Sequence, residues 1–254
     1  MRTRKEIKNR TKEKKMSTKR FVILLSVWAL SSMVAMGQMR LSVDVKTVQV
    51  ASGKKVTTER SLNLNPDGRL VAEQHSPTHL VTLSNSLGEV RIYDPATNQL
   101  AVMNDKQMAS SKELVAMFAS GSYVDMALPL YGYRQSDSRS EEGVLIKTFT
   151  PTATSAIAKV ELVFQNHLPI CMIYLNAKGT PIRKLYFSRY NYERIPMPMR
   201  ITEIEYTSER DSLVRLSTYS NLLFDADASS EMFDYKVPAD AIRTEVDPKT
   251  LFGK

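Results

Sequence analysis

The chain has 254 residues and a formal net charge of +8. The charge is uneven, because residues 1–20 contain ten Lys or Arg and two Asp or Glu, while residues 38–254 contain 25 basic and 25 acidic residues. A neutral folded part argues against a nucleic-acid binder, whose affinity depends on basic contacts to phosphates. The length suits one β-rich domain with a sizeable core. The single cysteine, Cys171, excludes an internal disulfide.

The first 37 residues predict a secretory signal. A basic run precedes residues 21–37, which carry no charge and end in Ala35-Met36-Gly37. A basic segment, an apolar segment and a small-residue step are the parts of a cleavable signal, so we expect cleavage near Gly37 and Gln38. Met16 is an alternative start. A single membrane anchor is disfavoured because the apolar run is short for a span. Residues 38–254 then form one exported domain, and no cysteine follows the cleavage site to accept lipid.

Short segments with alternating apolar and polar residues dominate residues 38–254, as expected for antiparallel strands. Asn65-Pro66-Asp67-Gly68 has the residue chemistry of a turn. Residues 52–55 predict another turn, and the polar residues 135–143 predict a surface loop. We predict strands at 41–50, 69–75, 78–84, 89–93, 99–103, 144–149, 157–165, 169–175, 183–191, 199–207, 212–220 and 232–237.

One segment has helical spacing. Ser110 to Glu113 matches the capping-box pattern S-x-x-E, the apolar residues Leu114, Met117 and Phe118 follow at helical intervals, and Gly121 is a stop signal. The apolar residues 124–133 predict a second helical turn or a loop against the sheet. The fold class is therefore mainly β with short helices (α+β). The helices either complete a solid core or cover a trough, and periodicity does not choose between these.

We find no residue pattern for catalysis, a metal or a cofactor, and we predict that the protein is not an enzyme. His75 and His79 flank a turn, so we interpret them as solvated ends of strands. Cys171 lies in the most apolar segment, which favours an inert buried thiol. Tyr186, Tyr190 and Tyr192 are predicted to share one strand face, where cross-strand packing is favoured over a stacking platform for sugars or bases. Glu203, Glu205 and Glu209 are interpreted as a solvent face.

Five motifs occur in a characteristic order. They are Val90-Arg-Ile-Tyr-Asp-Pro-Ala-Thr-Asn-Gln-Leu100, a capped helix ending in Met117-Phe118, Phe149-Thr-Pro151, Leu168-Pro-Ile-Cys-Met-Ile-Tyr-Leu-Asn-Ala-Lys-Gly179 and Phe233-Asp-Tyr-Lys-Val-Pro238. In this order they resemble the LolA-type outer-membrane lipoprotein carriers over roughly residues 67–245. Two features depart from that pattern. The family usually opens with a helix where residues 41–50 predict a strand, and its lid-holding arginine aligns near Val71, two residues from Arg69.

The resemblance implies a curved antiparallel sheet that forms an open half-barrel covered by helical lid segments. It also implies a monomeric periplasmic carrier, or chaperone, that binds acyl chains of lipoproteins or lipid in an apolar cavity for transfer to the outer membrane. Its partners would be an inner-membrane donor and an outer-membrane acceptor, without nucleic acid or cofactor. A LolA-like envelope sensor or protein-interaction module with no transport role is the alternative.

The candidate ligand-binding residues come from strand alternation and from the spacing of the helix. Each of them either lines a cavity or fills a solid core. The cavity candidates are Val90, Ile92, Val160, Leu162, Phe164, Val214, Leu216, Phe233 and Tyr235, and the lid candidates are Leu114, Met117 and Phe118.

Overall fold

A computed structural model describes residues 39–207 and 212–245, which form one sheet of fourteen strands and a few short helical pieces. The predicted signal at residues 1–37 lies outside the described residues. The strands are β1 (Leu41–Ala51), β2 (Lys54–Leu64), β3 (Leu70–Ser76), β4 (Leu80–Ser84), β5 (Glu89–Asp94), β6 (Gln99–Asn104), β7 (Tyr133–Glu141), β8 (Val144–Pro151), β9 (Lys159–Gln165), β10 (Leu168–Leu175), β11 (Pro181–Asn191), β12 (Met197–Tyr206), β13 (Ser212–Phe224) and β14 (Ile242–Glu245).

The sheet is open and almost entirely antiparallel. Its order from edge to edge is β14-β6-β5-β4-β3-β2-β1-β13-β12-β11-β10-β9-β8-β7. Among the strands of residues 39–207 and 212–245, only β14 pairs in parallel, with β6. Most strands that are adjacent in the sheet are also consecutive in the chain. The antiparallel pair β1 and β13 is an exception and joins β1–β6 to β7–β13, with Val45 opposite Tyr219 and Val50 opposite Val214. The prediction of a mainly β fold built on one open, curved sheet is confirmed.

All but one of the helical pieces that the structure describes lie between β6 and β7. They are the 3₁₀ turns Lys106–Met108, Ser110–Lys112, Ser122–Val124 and Leu128–Tyr131 and one α-helix, α1 (Leu114–Ala119). We call residues 106–131 the helical segment. Residues of α1 pack with strand residues in both hydrophobic clusters of the sheet. We call the sheet face that α1 contacts the inner face, and the opposite face the outer face.

The inner face carries two hydrophobic clusters, which meet at Tyr219. The first cluster comprises Leu41, Val43, Val45, Leu62, Leu64, Leu70, Ala72, Val115, Ala116, Met197, Leu222 and Phe224. The second comprises Met117, Met126, Ala127, Leu128, Phe149, Val160, Leu162, Phe164, Met172, Phe187 and Ile201.

The predicted capping box does not form. Ser110 begins a 3₁₀ turn, and its hydroxyl donates a hydrogen bond to the Gly68 carbonyl in the turn between β2 and β3. Glu113, the residue before α1, makes no side-chain cap and lies 4.0 Å from the Arg60 guanidinium. Contacts with the sheet therefore replace the local cap. The predicted stop is correct, since Gly121 has a φ of 75°, a conformation that glycine adopts without a side-chain clash.

Several strand predictions are wrong. β2 and β14 are not predicted, because their alternation is weak. Residues 135–143 are predicted as a loop, but β7 spans Tyr133–Glu141 with almost every residue exposed. β7 lies at the edge of the described sheet, next to β8. It has no apolar face, so its sequence lacks the alternation that indicates a strand. The predicted strand 232–237 is instead a 3₁₀ turn, Glu231–Asp234, followed by chain without strand pairing.

Residues 225–241, which we call the carboxy-terminal segment, cross the outer face of β2 and β3. Phe233 is fully buried there, under the guanidinium of Arg40 at 4.7 Å from the ring centroid. Asn65 Nδ2 donates to the Phe233 carbonyl at 3.0 Å, and Arg69 donates to the carbonyls of Phe233 and Tyr235. One buried ring and three donors thus fasten the segment to the sheet.

We predict that Phe233→Ala lowers the free energy of unfolding by about 3–5 kcal/mol, because it removes a fully buried ring. The control is Leu223→Ala, which trims a side chain that is 42% exposed and costs less than about 1 kcal/mol. Denaturant unfolding of both variants measures the difference. Equal losses would contradict the anchoring role of Phe233.

Candidate functional site

The helical segment buries apolar side chains against the inner face. Val115 and Ala116 pack in the first cluster, while Met117 packs in the second. Phe118 is 1% exposed and stacks on Tyr123 with ring centroids 4.9 Å apart, and the Tyr190 ring centroid lies 6.2 Å from that of Phe118. The six-residue helix therefore bridges the two apolar regions of the sheet. Its position makes the inner face the candidate site.

Eight of the twelve candidate ligand-binding residues lie on the inner face or on the helical segment. Met117, Val160, Leu162 and Phe164 meet in the second cluster, Leu114 packs against it, and Phe118 contacts it through Tyr123 and Tyr190. Val90 and Ile92 lie further along the same face, because Val90 pairs with Ser84 and Ser84 with Leu70 of the first cluster. Adjacent paired residues point to the same side of a sheet.

The other four candidates lie on the outer side. Val214 and Leu216 pair with Val50 and Val48 and lie an odd number of residues from Tyr219, so they point away from the clusters. Phe233 and Tyr235 belong to the carboxy-terminal segment, which covers the outer face. Alternation identified apolar positions of β13 but not which set faced inward, since both sets carry apolar residues.

A cleft of about 530 Å³ opens beside the second cluster. Phe164, Leu145 and Val124 of the helical segment, which is 49% exposed, form part of its wall, together with the polar residues Ser140, Asn166 and His167. Lys147 Nζ donates to the Val124 carbonyl at 3.0 Å and lies 4.8 Å from the Phe164 ring centroid. This single lysine therefore connects the sheet to the helical segment at the mouth of an apolar cleft.

A polar group lies on the inner face of β11 to β13. Glu203 is 13% exposed and accepts ion pairs from Arg183 at 2.7 Å and Arg215 at 3.0 Å. Arg215 also donates to Gln49 Oε1 at 2.9 Å. The interpretation of Glu203 as part of a solvent face is thus wrong, because two arginines on neighbouring strands cover it. The register of β11, β12 and β13 brings Arg183, Glu203 and Arg215 together, and the sequence alone does not indicate that register. The group forms a polar boundary to the apolar surface.

Two of the three tyrosines of β11 and the following turn lie together. The ring centroids of Tyr190 and Tyr192 are 6.2 Å apart, and Tyr190 also packs on Phe118 and donates its hydroxyl proton to the Pro169 carbonyl. Tyr186 and Tyr192 are 39% and 70% exposed. Arg189 has a φ of 57°, which breaks the alternation between Tyr186 and Tyr190. A platform of three tyrosines is therefore absent, and Tyr190 belongs to the packing of α1.

The outer face carries a serine–histidine contact that the sequence did not reveal. Ser61 Oγ donates to Asp44 at 2.7 Å and lies 3.0 Å from His75 Nε2. Asn221 Nδ2 also donates to Asp44, at 2.7 Å. His75 also lies 4.0 Å from Glu73 through Nδ1. These contacts tie four strands together, since Asp44, Ser61, His75 and Asn221 belong to β1, β2, β3 and β13.

The remaining sequence predictions concern single groups. His79 lies 3.0 Å from Glu73 and is half exposed, so it has a partner as well as solvent. Cys171 is half buried, and burial raises the pKa of its thiol.

Among residues 39–207 and 212–245, no His, Cys, Asp and Glu side chains are grouped to hold a metal ion. In the same ranges no helix has the length and apolar character needed to span a membrane.

Burial of the inner-face tyrosines predicts a pH dependence. Burial raises the pKa of Tyr174 to about 12, from 10.0, and it also raises the pKa values of Tyr190 and Tyr219. Because the pKa of each phenol is higher in the folded state, the phenol ionises at a lower pH in the unfolded chain than in the folded protein. The stabilisation is thus complete below pH 10 and is lost as the pH rises through the folded-state value.

We predict that Tyr174 contributes on the order of 2 kcal/mol to the fall in the free energy of unfolding between about pH 10 and pH 12. Tyr174→Phe removes that contribution, and denaturant unfolding across this range measures it. Tyr192→Phe is the control, because Tyr192 is 70% exposed. A Tyr174→Phe protein with the same pH profile as the unsubstituted protein would contradict the burial of this phenol.

Solved structures share this architecture, although no protein-family model matches the chain and no curated protein matches its sequence. A LolA superfamily protein from Nitrosomonas europaea is 14% identical, with a TM-score of 0.50, over 76% of this chain and 91% of that chain. A DUF1329 family protein from Desulfovibrio piger is 16% identical, with a TM-score of 0.52, over 80% and 92%.

An outer-membrane lipoprotein-sorting protein domain from Vibrio parahaemolyticus is 14% identical, with a TM-score of 0.51, over 79% of this chain and 91% of that chain. Identities this low show the fold alone. The resemblance found in the sequence motifs is confirmed at that level, and the chain has the fold of the LolA superfamily and of lipoprotein-sorting domains.

Proposed function

We propose that the protein is a periplasmic carrier that binds acyl chains of lipoproteins or lipid on the inner face of its sheet. The observation that carries this proposal is the apolar surface shared by the second cluster and α1, beside a 530 Å³ cleft whose wall includes Phe164. The fold shared with LolA superfamily proteins supports it. No bond is made or broken in this function, which needs only reversible burial.

The helical segment is the proposed lid. It consists of 3₁₀ turns and one helix of six residues, and helices this short have little stability of their own. Its polar attachments include those of Ser110 to Gly68 and Asn85, in turns between strands, and those of Glu113 and Val124 to Arg60 and Lys147 on the sheet. We propose that the lid moves as a unit when these attachments break.

Acyl burial would replace lid burial. When the lid moves, Val160, Leu162 and Phe164 lose their contacts with Met117 and its neighbours, and an acyl chain can take that place. Each acyl CH₂ group that is buried contributes about 0.8 kcal/mol of favourable free energy. Acyl burial therefore offsets much of the free energy that opening the lid costs. The bound chain is then held without being trapped, as transfer requires.

The proposed site keeps the eight candidates on the inner face and the lid. These are Val90, Ile92, Leu114, Met117, Phe118, Val160, Leu162 and Phe164. Val214, Leu216, Phe233 and Tyr235 are left out because they lie on the outer side. The ion pairs of Glu203 with Arg183 and Arg215 limit the apolar surface on β11 to β13.

The setting of the carrier is also proposed. The basic and apolar pattern of residues 1–37 favours export, and a route to the outer membrane then requires an inner-membrane donor and an outer-membrane acceptor. Native mass spectrometry of protein purified from the cell envelope tests the cargo directly. Bound lipid or acylated peptide supports the carrier, and their absence favours the sensor or interaction module.

We predict that Leu114→Lys weakens the binding of a fluorescent fatty-acid probe at least about tenfold, because it places a charge beside the acyl site. Leu216→Lys is the matched control, since Leu216 is also half buried but lies on the outer face. Its probe affinity should stay within about twofold of the unsubstituted protein. Circular dichroism confirms that both variants fold. An unsubstituted protein that takes up no probe, or equal losses in the two variants, would refute the proposal.

We predict that Lys147→Met speeds uptake of the same probe by about threefold to tenfold, because the lid loses its hydrogen bond through Val124. Stopped-flow fluorescence measures the association rate. Lys178→Met, in the exposed turn after β10, is the control and should leave the rate unchanged. Slower uptake in Lys147→Met would mean that the lysine guides the ligand and does not restrain the lid.

A further inference from the structure

A second cleft, of about 380 Å³, lies on the outer face under the carboxy-terminal segment. Four basic side chains line it, those of Arg69, Arg91, Lys236 and Arg243, and Glu89 is the one acidic residue among its described lining. The basic residues come from β5, β14, the start of β3 and the carboxy-terminal segment. A domain with balanced overall charge thus places a local excess of positive charge in one concave site.

Strand register explains how these residues meet. Arg91 pairs with Leu83, which pairs in turn with Val71, so all three lie on one face. Arg243 reaches the same place because β14 pairs in parallel with β6 opposite Leu100. Leu83 and Leu100 supply apolar wall between the cations. The site therefore combines positive charge with a limited apolar surface.

The basic groups differ in their protein partners. Arg69 donates to the carbonyls of Phe233 and Tyr235, which holds the roof of the cleft in place. Glu89 accepts a hydrogen bond from Asn85 Nδ2 at 2.7 Å. Within the described residues, Arg91, Lys236 and Arg243 make no hydrogen bond or ion pair through their side chains. Elsewhere on the sheet, Lys46, Arg183 and Arg215 each pair with a carboxylate.

We propose that this cleft binds a phosphate group. Guanidinium groups present paired N–H donors that match phosphate oxygens, and a lysine adds a point charge. A phosphomonoester carries close to two negative charges at neutral pH, which the side chains of Arg91, Lys236 and Arg243 can neutralise. The volume lies within the range of small-molecule sites, roughly 300–1,000 Å³. A free phosphomonoester and the headgroup of an anionic phospholipid both offer this chemistry.

Isothermal titration calorimetry with inorganic phosphate and with glycerol 3-phosphate tests the free form. Flotation with phosphatidylglycerol vesicles, compared with zwitterionic phosphatidylcholine vesicles, tests the lipid form. We expect saturable binding to at least one anionic probe, and Arg91→Gln/Arg243→Gln should weaken it at least about tenfold, because charge-assisted hydrogen bonds are lost. The control is Arg134→Gln/Lys178→Gln, which removes two exposed charges outside the cleft and should change affinity less than about twofold.

The outcomes separate the sources. Binding of glycerol 3-phosphate or phosphate assigns a soluble ligand, and binding only to phosphatidylglycerol assigns a headgroup. The proposal fails if no anionic probe binds or if both double variants lose affinity equally, which would indicate a general charge effect. Acyl binding on the inner face is measured separately, so either proposal can fail without the other.

Discussion

Coverage of the inner face is the constraint on which the rest of the structure depends. A single sheet has two faces, and here one carries two apolar clusters that would otherwise meet water. The chain covers them with a helical segment of short turns, in which Val115 and Phe118 are almost fully buried. Burial of apolar area is the dominant favourable term in folding. A cover made of short pieces satisfies that term through the buried side chains of one short helix.

The outer face is covered by different means. Phe233 and the donors Asn65 and Arg69 fasten the carboxy-terminal segment, whose backbone carbonyls accept charged hydrogen bonds. The LolA-type pattern places a lid-holding arginine near Val71, but Arg69 binds this segment on the opposite face. Arg69 therefore stabilises the roof of the basic cleft. The acyl site and the phosphate site that we propose thus lie on separate faces of the sheet.

The sequence predicted the parts of the fold that depend on one buried face. β9 alternates as expected, with Val160, Leu162 and Phe164 buried, and these residues reached the inner cluster. Prediction failed where both faces are apolar, as in β13, or where neither is, as in β7. It also failed for the capping box, because the Ser110 hydroxyl donates to the Gly68 carbonyl in the turn between β2 and β3. Glu203 was misjudged for a related reason, since its two arginines come from other strands.

The polar edge strand β7 affects whether molecules of this protein associate through their sheets at high concentration. An open sheet ends in unpaired backbone groups, which can recruit a strand from another molecule. β7 presents Arg134, Asp137, Arg139 and Glu141 along nine mostly exposed residues, with no apolar stripe to bury. A docking strand would have to desolvate these charges without gaining apolar contact. The charged β7 edge therefore disfavours fibril-like pairing between molecules. The sheet can remain open without promoting self-association.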